Sequence, residues 1–566
     1  MSSMKSQSHV LRALVAMLAA ALTAMPASPA WAQRVAGVGD DAAPIPKGGY
    51  RILLGGLWND YEKVFTPDGP VGTRRVLSGL ATDKFGIALL PQLTAAQAGI
   101  RALSGVGTFA LSLGALEARG EVRQSIAPLA LDYGVTKRLS LRVMVPYAES
   151  RDVSQLVLNR NGTGANVGRN PAYETTGAAV RASNGALIGQ IESARAALAA
   201  EIARCTNATA SGCDAVRANP AGAQALVSRA QQTRSHLVTV YGDGTRGGSP
   251  VVPLTGSTVH AAVVAGIAAL RADFGAFGIT NIAAGVQPAA ATVVFGPGGI
   301  GTIAGDTSFG VGYRQLGNTR RAGVGDVDVT ATLLLFDSFR ADQVKRLLSP
   351  TRAVRSNVTL GWRFGTAGAD RTEDAFDVPI GEGANALLVR STTDILFNRW
   401  AWVSATVRAA QPMADRIAVS LPLRNEAGTF GAPVSAVSAA RTLGRRLDVE
   451  LAPRMSIGEY FGLSAAVLMR HWGADRYDGA ASDPNATDAN TVTQVAQAAT
   501  VQSRTLSAAA FGLSFSTLSS YVRGRSRFPA EVIYTHTVPL AASGGEVPVM
   551  ASDRLELRVY TGFPRR

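Results

Sequence analysis

Twelve charged side chains alternate with apolar ones in stretches that have the two-residue period of β-strands, and these are the residues best placed to do chemistry. Within each stretch they share one face, opposite the apolar side chains. Charges of both signs along an inner wall can form a selectivity ladder, or they can pair and stabilise a narrow interior. We predict pairing as their main role, with transport as the alternative. The candidate lumen-lining residues are Arg142, Asp326, Asp328, Arg363, Arg390, Asp394, Arg408, Asp448, Glu450, Arg470, Glu556 and Arg558.

Histidine is the other residue type that could carry catalysis. His471 and His536 fall near the predicted outer ends of two strands, and Asp475 and Asp478 follow His471 closely. A histidine beside an acid at a barrel rim is compatible with a surface hydrolase. The sequence contains no G-x-S-x-G nucleophile motif, however. We therefore predict no catalytic residues and no enzyme activity.

The stretch 473–491 is acidic and raises the question of a metal site. Its four carboxylates could hold a divalent cation together with lipopolysaccharide, but their spacing matches no calcium loop. We predict a solvated acidic loop and no metal. Gly323-x-Gly325 is not a nucleotide loop, because no Lys-Ser/Thr follows it, so no cofactor is predicted. The four carboxylates are those of Asp475, Asp478, Asp483 and Asp488.

The chain has two cysteines, Cys205 and Cys213, and they are close in sequence. In an exported protein such a pair predicts a disulfide that closes a short loop, with two free thiols as the alternative.

The elements that must position these residues are strands, and the hairpin 131–147 shows the pattern most clearly. Gly134 and the polar residues after it supply the turn. The face of the second arm that carries no charge is built from Leu139, Leu141, Val143, Val145 and Tyr147.

Similar stretches recur along the chain and predict an all-β fold, a transmembrane antiparallel β-barrel of about 12 strands. Charges at 117–123 and apolar residues at 129–133 share one face, and a bulge near Pro128 is the predicted explanation. The predicted strands are 50–58, 119–134, 139–147, 324–336, 354–365, 386–396, 400–410, 443–453, 460–472, 503–515, 528–540 and 551–563.

The N-terminus predicts export. Residues 1–32 have the basic, apolar and Ala-x-Ala regions of a signal peptide, and 33–49 read as a flexible lead-in to the barrel at 50–566. The formal net charge is +14, but the arginines are spread through the chain without a compact basic motif. We predict no nucleic-acid partner and instead contact with anionic lipid headgroups.

Residues 148–310 interrupt the strand pattern and predict a long extracellular insert with helices. A stripe at Leu187, Ile191 and Leu198 has helical spacing, Asn219-Pro220 can begin a second helix, and Ser257 can cap a third. The insert is predicted to cap the mouth of the barrel. A plug or a partner-docking module is the alternative.

Three features favour the bacterial outer membrane over a soluble sandwich: the export signal, the alternation of short turns with long loops, and aromatic residues near hairpin ends. The last strand carries an apolar face that resembles the C-terminal signal read by the barrel-assembly machinery. The predicted partners are therefore that machinery, outer-membrane lipid, lipopolysaccharide and a small-molecule solute. The residues of the predicted assembly signal are Leu555, Leu557, Val559 and Phe563.

The hairpin sequence YGVTKRLSLRVMVPY, together with the Gly-Val-Gly-Asp step at 323–326, resembles a family of outer-membrane barrels associated with the meta-pathway of phenol degradation. The resemblance is firm over 131–147 and 323–336. It implies uptake of small, often apolar, molecules.

Together these observations predict a porin-like channel for passive passage of small molecules that are apolar or anionic. The alternative is a non-conducting surface or structural barrel whose helical insert binds a partner.

Overall fold

The chain forms a closed antiparallel β-barrel. In the computed structural model the described residues are 42–43, 45–66, 72–161, 164–245, 248–309, 318–338, 352–368, 378–398, 400–419, 437–478 and 501–562. The predicted signal peptide, residues 33–41, Phe563, Asp483 and Asp488 lie outside them.

Within the described residues twelve strands pair in sequence order, and β1 closes the ring by pairing with both β2 and β12. The predicted fold class is confirmed. The strands are β1 Tyr50–Tyr61, β2 Leu116–Gly134, β3 Leu139–Leu158, β4 Thr319–Val324 with Val327–Asp337, β5 Ala353–Phe364, β6 Ala386–Leu396, β7 Ala401–Pro412, β8 Arg446–Ile457, β9 Phe461–Trp472, β10 Arg504–Ser516, β11 Ala530–Gly544 and β12 Ala551–Thr561.

The strands present mainly apolar side chains outward, and their inward side chains are mostly polar or small, with an apolar group on β1 to β3. Val467, for example, is 63% exposed, whereas its neighbours Ala466 and Leu468 are buried. Successive side chains of a strand point to opposite faces, so the apolar set of every strand falls on the outer wall. The barrel therefore carries an outer apolar surface. Members of it are Leu54, Trp58, Leu131, Val143, Leu333, Leu360, Val407, Leu451, Phe511, Leu513 and Leu557.

The two ends of the barrel differ. Tyr50, Gly134 and Thr561 lie at the end where the short turns 135–138 and 458–460 join strands; we call it the turn end. The opposite, or loop end, holds the longest connections, including the insert. Small accessory sheets extend the loop end: Lys63–Phe65 with Thr73–Arg75 and Val547–Pro548, Val167–Arg169 with Val251–Pro253, and Asp415–Val419 with Val437–Thr442 and Arg476–Asp478.

The predicted bulge near Pro128 is wrong. The register of β2 against β3 runs without a shift from Leu116–Leu158 to Gly134–Ser140. The charged residues 117–123 instead lie on the upper part of a long hairpin, and the apolar residues 129–133 on its lower part. The same face of the strand therefore carries charged residues in its upper part and apolar residues in its lower part. No bulge is needed to explain the difference.

The strand predicted to end at Tyr147 continues to Leu158, so the predicted insert 148–310 overlaps the upper part of β3. The helices of the structure are α1 Thr94–Ser104, α2 Ala178–Arg204, α3 Asp214–Ala218, α4 Pro220–Tyr241, α5 Thr258–Ala276, α6 Gly299–Gly305 and α7 Leu518–Val522, with short 3₁₀ turns at Ser78–Leu80, Pro91–Leu93, Pro171–Tyr173 and Thr307–Phe309.

The predicted helix starts are confirmed. The side chain of Asn219 accepts a hydrogen bond from Gly222 N at 2.9 Å, and that of Ser257 accepts one from His260 N at 3.1 Å. These side chains satisfy backbone donors that the first helical turn leaves without partners. The predicted disulfide between Cys205 and Cys213 is present and joins the end of α2 to the start of α3.

The insert has a hydrophobic core of its own, to which the sequence between β1 and β2 also contributes. Phe85 and Ile100 from that connection pack with Leu187, Leu237 and Phe274 of the helices. Helix α5 is long and apolar enough by composition to cross a membrane, but its buried residues pack into this core. The upper ends of β2 and β3 enter the same core and carry the insert.

Candidate functional site

Eleven of the twelve residues predicted to line a lumen lie on the inward faces of their strands, and Asp326 lies buried at the break in β4. Each of the eleven belongs to the set of positions that alternates with the exposed apolar residues, and all twelve are buried or half-buried. Their placement agrees with the alternation from which they were chosen. A role in lining a conducting path stays a prediction.

Most of these charges have an ion-pair partner inside the barrel. Near the turn end, Asp132 accepts hydrogen bonds from Arg142 Nε at 2.6 Å and from Arg51 Nε at 2.8 Å. Nearer the loop end, Arg363 Nε donates to Asp328 Oδ1 at 2.7 Å. A buried charge without a partner is costly, so pairing across neighbouring strands is what makes a charged interior tolerable.

Six further candidates continue this network on β7, β8, β9 and β12. Arg408 Nη2 lies 2.9 Å from Glu450 Oε2, and Arg470 Nε lies 3.7 Å from Asp448 Oδ2. On β12, Glu556 contacts both Arg554 and Arg558. The interior is therefore an arrangement of paired charges, as the pairing prediction requires.

A band of hydroxyl groups lies among these pairs on β4 to β7. The hydroxyls of Thr332 and Thr359 are 2.8 Å apart, and Arg390 Nη2 donates to Thr359 Oγ1 at 3.2 Å. Thr406 Oγ1 donates to Thr392 Oγ1 at 3.4 Å. A hydroxyl group can donate and accept hydrogen bonds, so this part of the wall can bind solutes that carry either donors or acceptors.

The connection between β5 and β6 folds into the barrel at the loop end. We call residues 378–385 the inner loop. Asp326, at the break in β4, accepts backbone hydrogen bonds from Glu382 N at 2.8 Å and Gly383 N at 3.2 Å, and from Ala367 N at 3.0 Å. One carboxylate thus fixes both limbs of the connection.

The tip of the inner loop reaches inward-facing residues of β1, β2 and β3. Ile380 and Ala367 form one buried cluster with Leu57, Ile126 and Ala148, which belong to β1, β2 and β3. Because the loop starts from β5 and β6, this contact lies across the interior. The inner loop therefore packs inside the barrel at this level.

Glu382 is the functional candidate that sequence reasoning missed. Its side chain is buried and lies against Arg446 of β8, with Oε2 3.9 Å from Arg363 Nη1 of β5. It falls in the glycine-rich stretch 381–383, where no alternation marks a face. The glycines themselves were the available signal: a Cβ at position 381 would lie 2.2 Å from Ala367 Cβ, and Gly383 has φ +61°.

The two rim histidines lie on the outer wall and have separate partners. His471 Nδ1 is 2.8 Å from Thr505 Oγ1, and His536 Nδ1 is 2.9 Å from Asp553 Oδ1. Tyr534 donates to the same carboxylate at 2.5 Å. The two histidines thus sit on different strands in different hydrogen-bonded groups. That the protein is not an enzyme stays a prediction.

The predicted solvated acidic loop is wrong for Asp475. This residue follows β9, and its carboxylate is buried beside Arg446, Arg504 and Arg441. Burial raises the pKa of Asp475 to about 7, and the neighbouring arginines oppose that rise. A carboxyl group that changes charge near neutral pH therefore lies just outside the barrel strands.

No protein-family model matches the chain, and no curated protein matches it. Solved structures give low-level similarity. An outer membrane channel from Pseudomonas putida F1 has a TM-score of 0.38 at 10% identity, covering 93% of this chain and 98% of that one. A Pseudomonas aeruginosa FadL homologue has a TM-score of 0.27 at 8% identity, covering 96% and 100%. The toluene transporter TbuX of Ralstonia pickettii has a TM-score of 0.26 at 6% identity, covering 92% and 90%.

Proposed function

We propose that this chain is a bacterial outer-membrane β-barrel that lets small molecules cross passively. The observation that carries the proposal is the division of the barrel wall into an apolar outer face and a polar, charge-paired inner face. An apolar outer wall suits contact with lipid, and a polar interior suits contact with water and solutes. The turn end would then face the periplasm and the insert would face the outside.

The interior supports a small solute with an anionic group and an apolar face. Arginines and threonines line β4 to β8, as at Arg390 and Thr359, whereas Leu53, Ala130 and Met144 form an apolar cluster on β1 to β3. Arginine provides several fixed donors for a carboxylate or phosphate. In this proposal the inner loop is the constriction that a solute must pass.

A second candidate is a non-conducting barrel whose insert binds a partner. The observation that favours it is the filled interior: the inner loop packs on inward-facing residues of β1 to β3, and the charges of the lumen are largely paired. The insert, with its own core, is large enough to be a docking module.

Single-channel recording of the refolded protein in a planar bilayer separates the two candidates. Steady openings are expected, and their chloride-to-potassium selectivity measures whether the inward arginines set an anion preference. Silence from protein that shows β-type circular dichroism and a folded band on unheated gels would contradict the channel and support the docking barrel.

A further inference from the structure

Three arginines form a row on the outer wall near the loop end of the barrel. We call Arg123 of β2, Arg151 of β3 and Arg320 of β4 the arginine row. Arg151 lies directly opposite Arg123 in one strand pair and directly opposite Arg320 in the other. All three are exposed, as is Arg119 two positions further along the same face of β2. Like charges that face each other across neighbouring strands destabilise a sheet, so such a row needs anions against it.

Carboxylates of the chain flank the arginine row and orient it. Arg123 Nε donates to Glu121 Oε1 at 2.5 Å, and Arg320 Nε donates to Glu149 Oε1 at 2.7 Å. Asp60 of β1 lies opposite Arg123. The side chains of Arg123 and Arg320 nevertheless stay 60% and 70% exposed. A guanidinium group has five N–H donors, so each of these arginines keeps donors for a further anionic acceptor.

The arginine row lies at the upper boundary of the apolar outer wall. Arg123 is ten residues from Tyr133, which lies at the turn end of β2. At about 3.3 Å per residue and a strand tilt of about 40°, this stretch spans about 25 Å along the barrel axis, which is the height of the apolar band of outer-membrane barrels. Trp58 and Tyr147, on the turn-end side of the row, are 50% and 53% exposed, as is typical of aromatic residues at a membrane interface. The row therefore falls at the level of lipid headgroups.

An apolar groove lies next to the arginine row on the same outer wall. The groove has a volume of about 540 Å³, and both Trp58 and Tyr147 line it. A Cβ at position 56 would lie 2.5 Å from Trp58 Cη2, so the indole ring lies over Gly56. The small side chain of Ala127 leaves room beside it. Glu149, which flanks the row, also lines the groove, so the row and the groove adjoin.

We propose that the arginine row and this groove together bind one phosphorylated lipid, with its phosphates on the arginines and an acyl chain between Trp58 and Tyr147. Arginine provides a fork of donors that matches phosphate oxygens. A free anion would need only the row and a neutral lipid only the groove, whereas a phosphorylated lipid uses both.

The loop end faces the outside in the proposed function, so the lipid belongs to the outer leaflet and is the phosphorylated glycolipid, lipopolysaccharide. The proposal rests on the outer-membrane placement in the proposed function and does not require conduction.

Titration of the refolded protein in detergent with diphosphorylated lipid A, followed by native mass spectrometry, tests the arginine row. We expect Arg151→Gln with Arg320→Gln to raise the Kd at least about tenfold, because charge-assisted hydrogen bonds to phosphate are lost. The matched control is Arg523→Gln with Arg525→Gln, which removes two exposed arginines at the turn end and should leave the Kd unchanged. The folded gel band is checked for each variant. Equal Kd values for the native sequence and the row variant, or equal losses in the row variant and the control, would overturn the proposal.

A second pair of variants tests the groove without changing any charge. Ala127→Phe fills the groove and should raise the Kd for lipid A several-fold, whereas Ala405→Phe, at an exposed position on the outer wall of β7, should leave it unchanged. Equal effects of the two substitutions would overturn the role of the groove.

Two further probes identify the occupant. Lipid A without its phosphates should bind the native sequence at least about tenfold more weakly, and millimolar inorganic phosphate should not displace intact lipid A. Equal binding of the dephosphorylated lipid, or displacement by phosphate alone, would overturn the lipid site while leaving the channel standing. Failure of the native sequence to insert into liposomes would instead overturn the outer-membrane placement, and the lipid site with it.

Discussion

The carboxylate of Asp326 holds the inner loop. Replacing Asp326 is the sharpest test of how this loop is anchored at the loop end. Three backbone N–H groups donate to it, from Ala367, Glu382 and Gly383. A hydrogen bond to a charged group contributes about 1.5–3 kcal/mol. Three independent bonds would sum to about 4.5–9 kcal/mol, but these three share one buried carboxylate, so their contributions do not add in full.

The balance leaves about 2–3 kcal/mol that holds the loop in its inward position, and a tenfold change in an equilibrium corresponds to about 1.4 kcal/mol. We therefore expect Asp326→Ala to raise the population of the released loop about 30- to 150-fold. Asp326→Asn is the matched control, because an amide keeps one acceptor oxygen and the same shape.

Thiol labelling from the loop side measures this population. Ile380 is 4% exposed at the tip of the inner loop, so Ile380→Cys reports its release. We expect Ile380→Cys with Asp326→Ala to label much faster than Ile380→Cys alone, and the Asp326→Asn variant to fall between them. Equal labelling rates in folded protein would refute the reasoning that Asp326 anchors the loop.

Three further predictions concern the pH response, the insert and the outer wall. Because burial raises the pKa of Asp475 from its ordinary value of 3.8 to about 7, the folded state binds this proton more tightly, so its contribution to stability is lost as pH rises through about 7. The temperature at which the folded gel band disappears should fall between pH 5 and pH 8 by more in the native sequence than in Asp475→Asn; an identical fall would contradict the assignment. Replacing Cys205 and Cys213 by Ser should cost the insert about 2–3 kcal/mol, because the disulfide closes a short loop with a sequence separation of 8. Limited proteolysis of the insert with and without reductant measures this loss, and equal rates would count against it. Val467→Arg puts a charge in the middle of the outer face of β9 and should cost about 2–4 kcal/mol in a bilayer, whereas Val467→Leu should cost little. Chemical unfolding in liposomes compares the two, and equal stabilities would argue against lipid contact at this wall.

Sequence reasoning anticipated the strands well because each strand carries its own evidence. Alternation within about a dozen residues separates an inward from an outward face, and the inward positions of Arg142, Asp328 and Glu450 follow from it directly. The helix starts at Asn219 and Ser257 are predictable for the same reason, because a capping side chain bonds to the backbone of the adjacent turn.

The contacts that close the barrel were not predictable in this way, because they join residues far apart in sequence. Glu382 meets Arg446, and Ala42 meets Asp394 across the opening. Such contacts depend on the path of irregular loops, for which no periodicity exists. The predicted bulge at Pro128 is wrong for a related reason. It assumes that one face of a strand has the same surroundings along its whole length, whereas β2 continues beyond its lower, apolar part in the same register.

Two irregular segments, the inner loop and the chain at Ala42 before β1, are held inside the barrel in the same way. At the loop end Asp326 accepts backbone N–H groups of the inner loop, and at the turn end Asp394 accepts the backbone N–H of Ala42. In each case a carboxylate fixed on the wall holds an irregular segment through its main chain, and the charge pairs around it remain in the strands. Because neither segment takes part in the strand ladder, either can move while the barrel stays closed around it. Release of the inner loop would break its hydrogen bonds to Asp326 but none of the hydrogen bonds between strands, so a barrel that is filled in this way can open without unfolding.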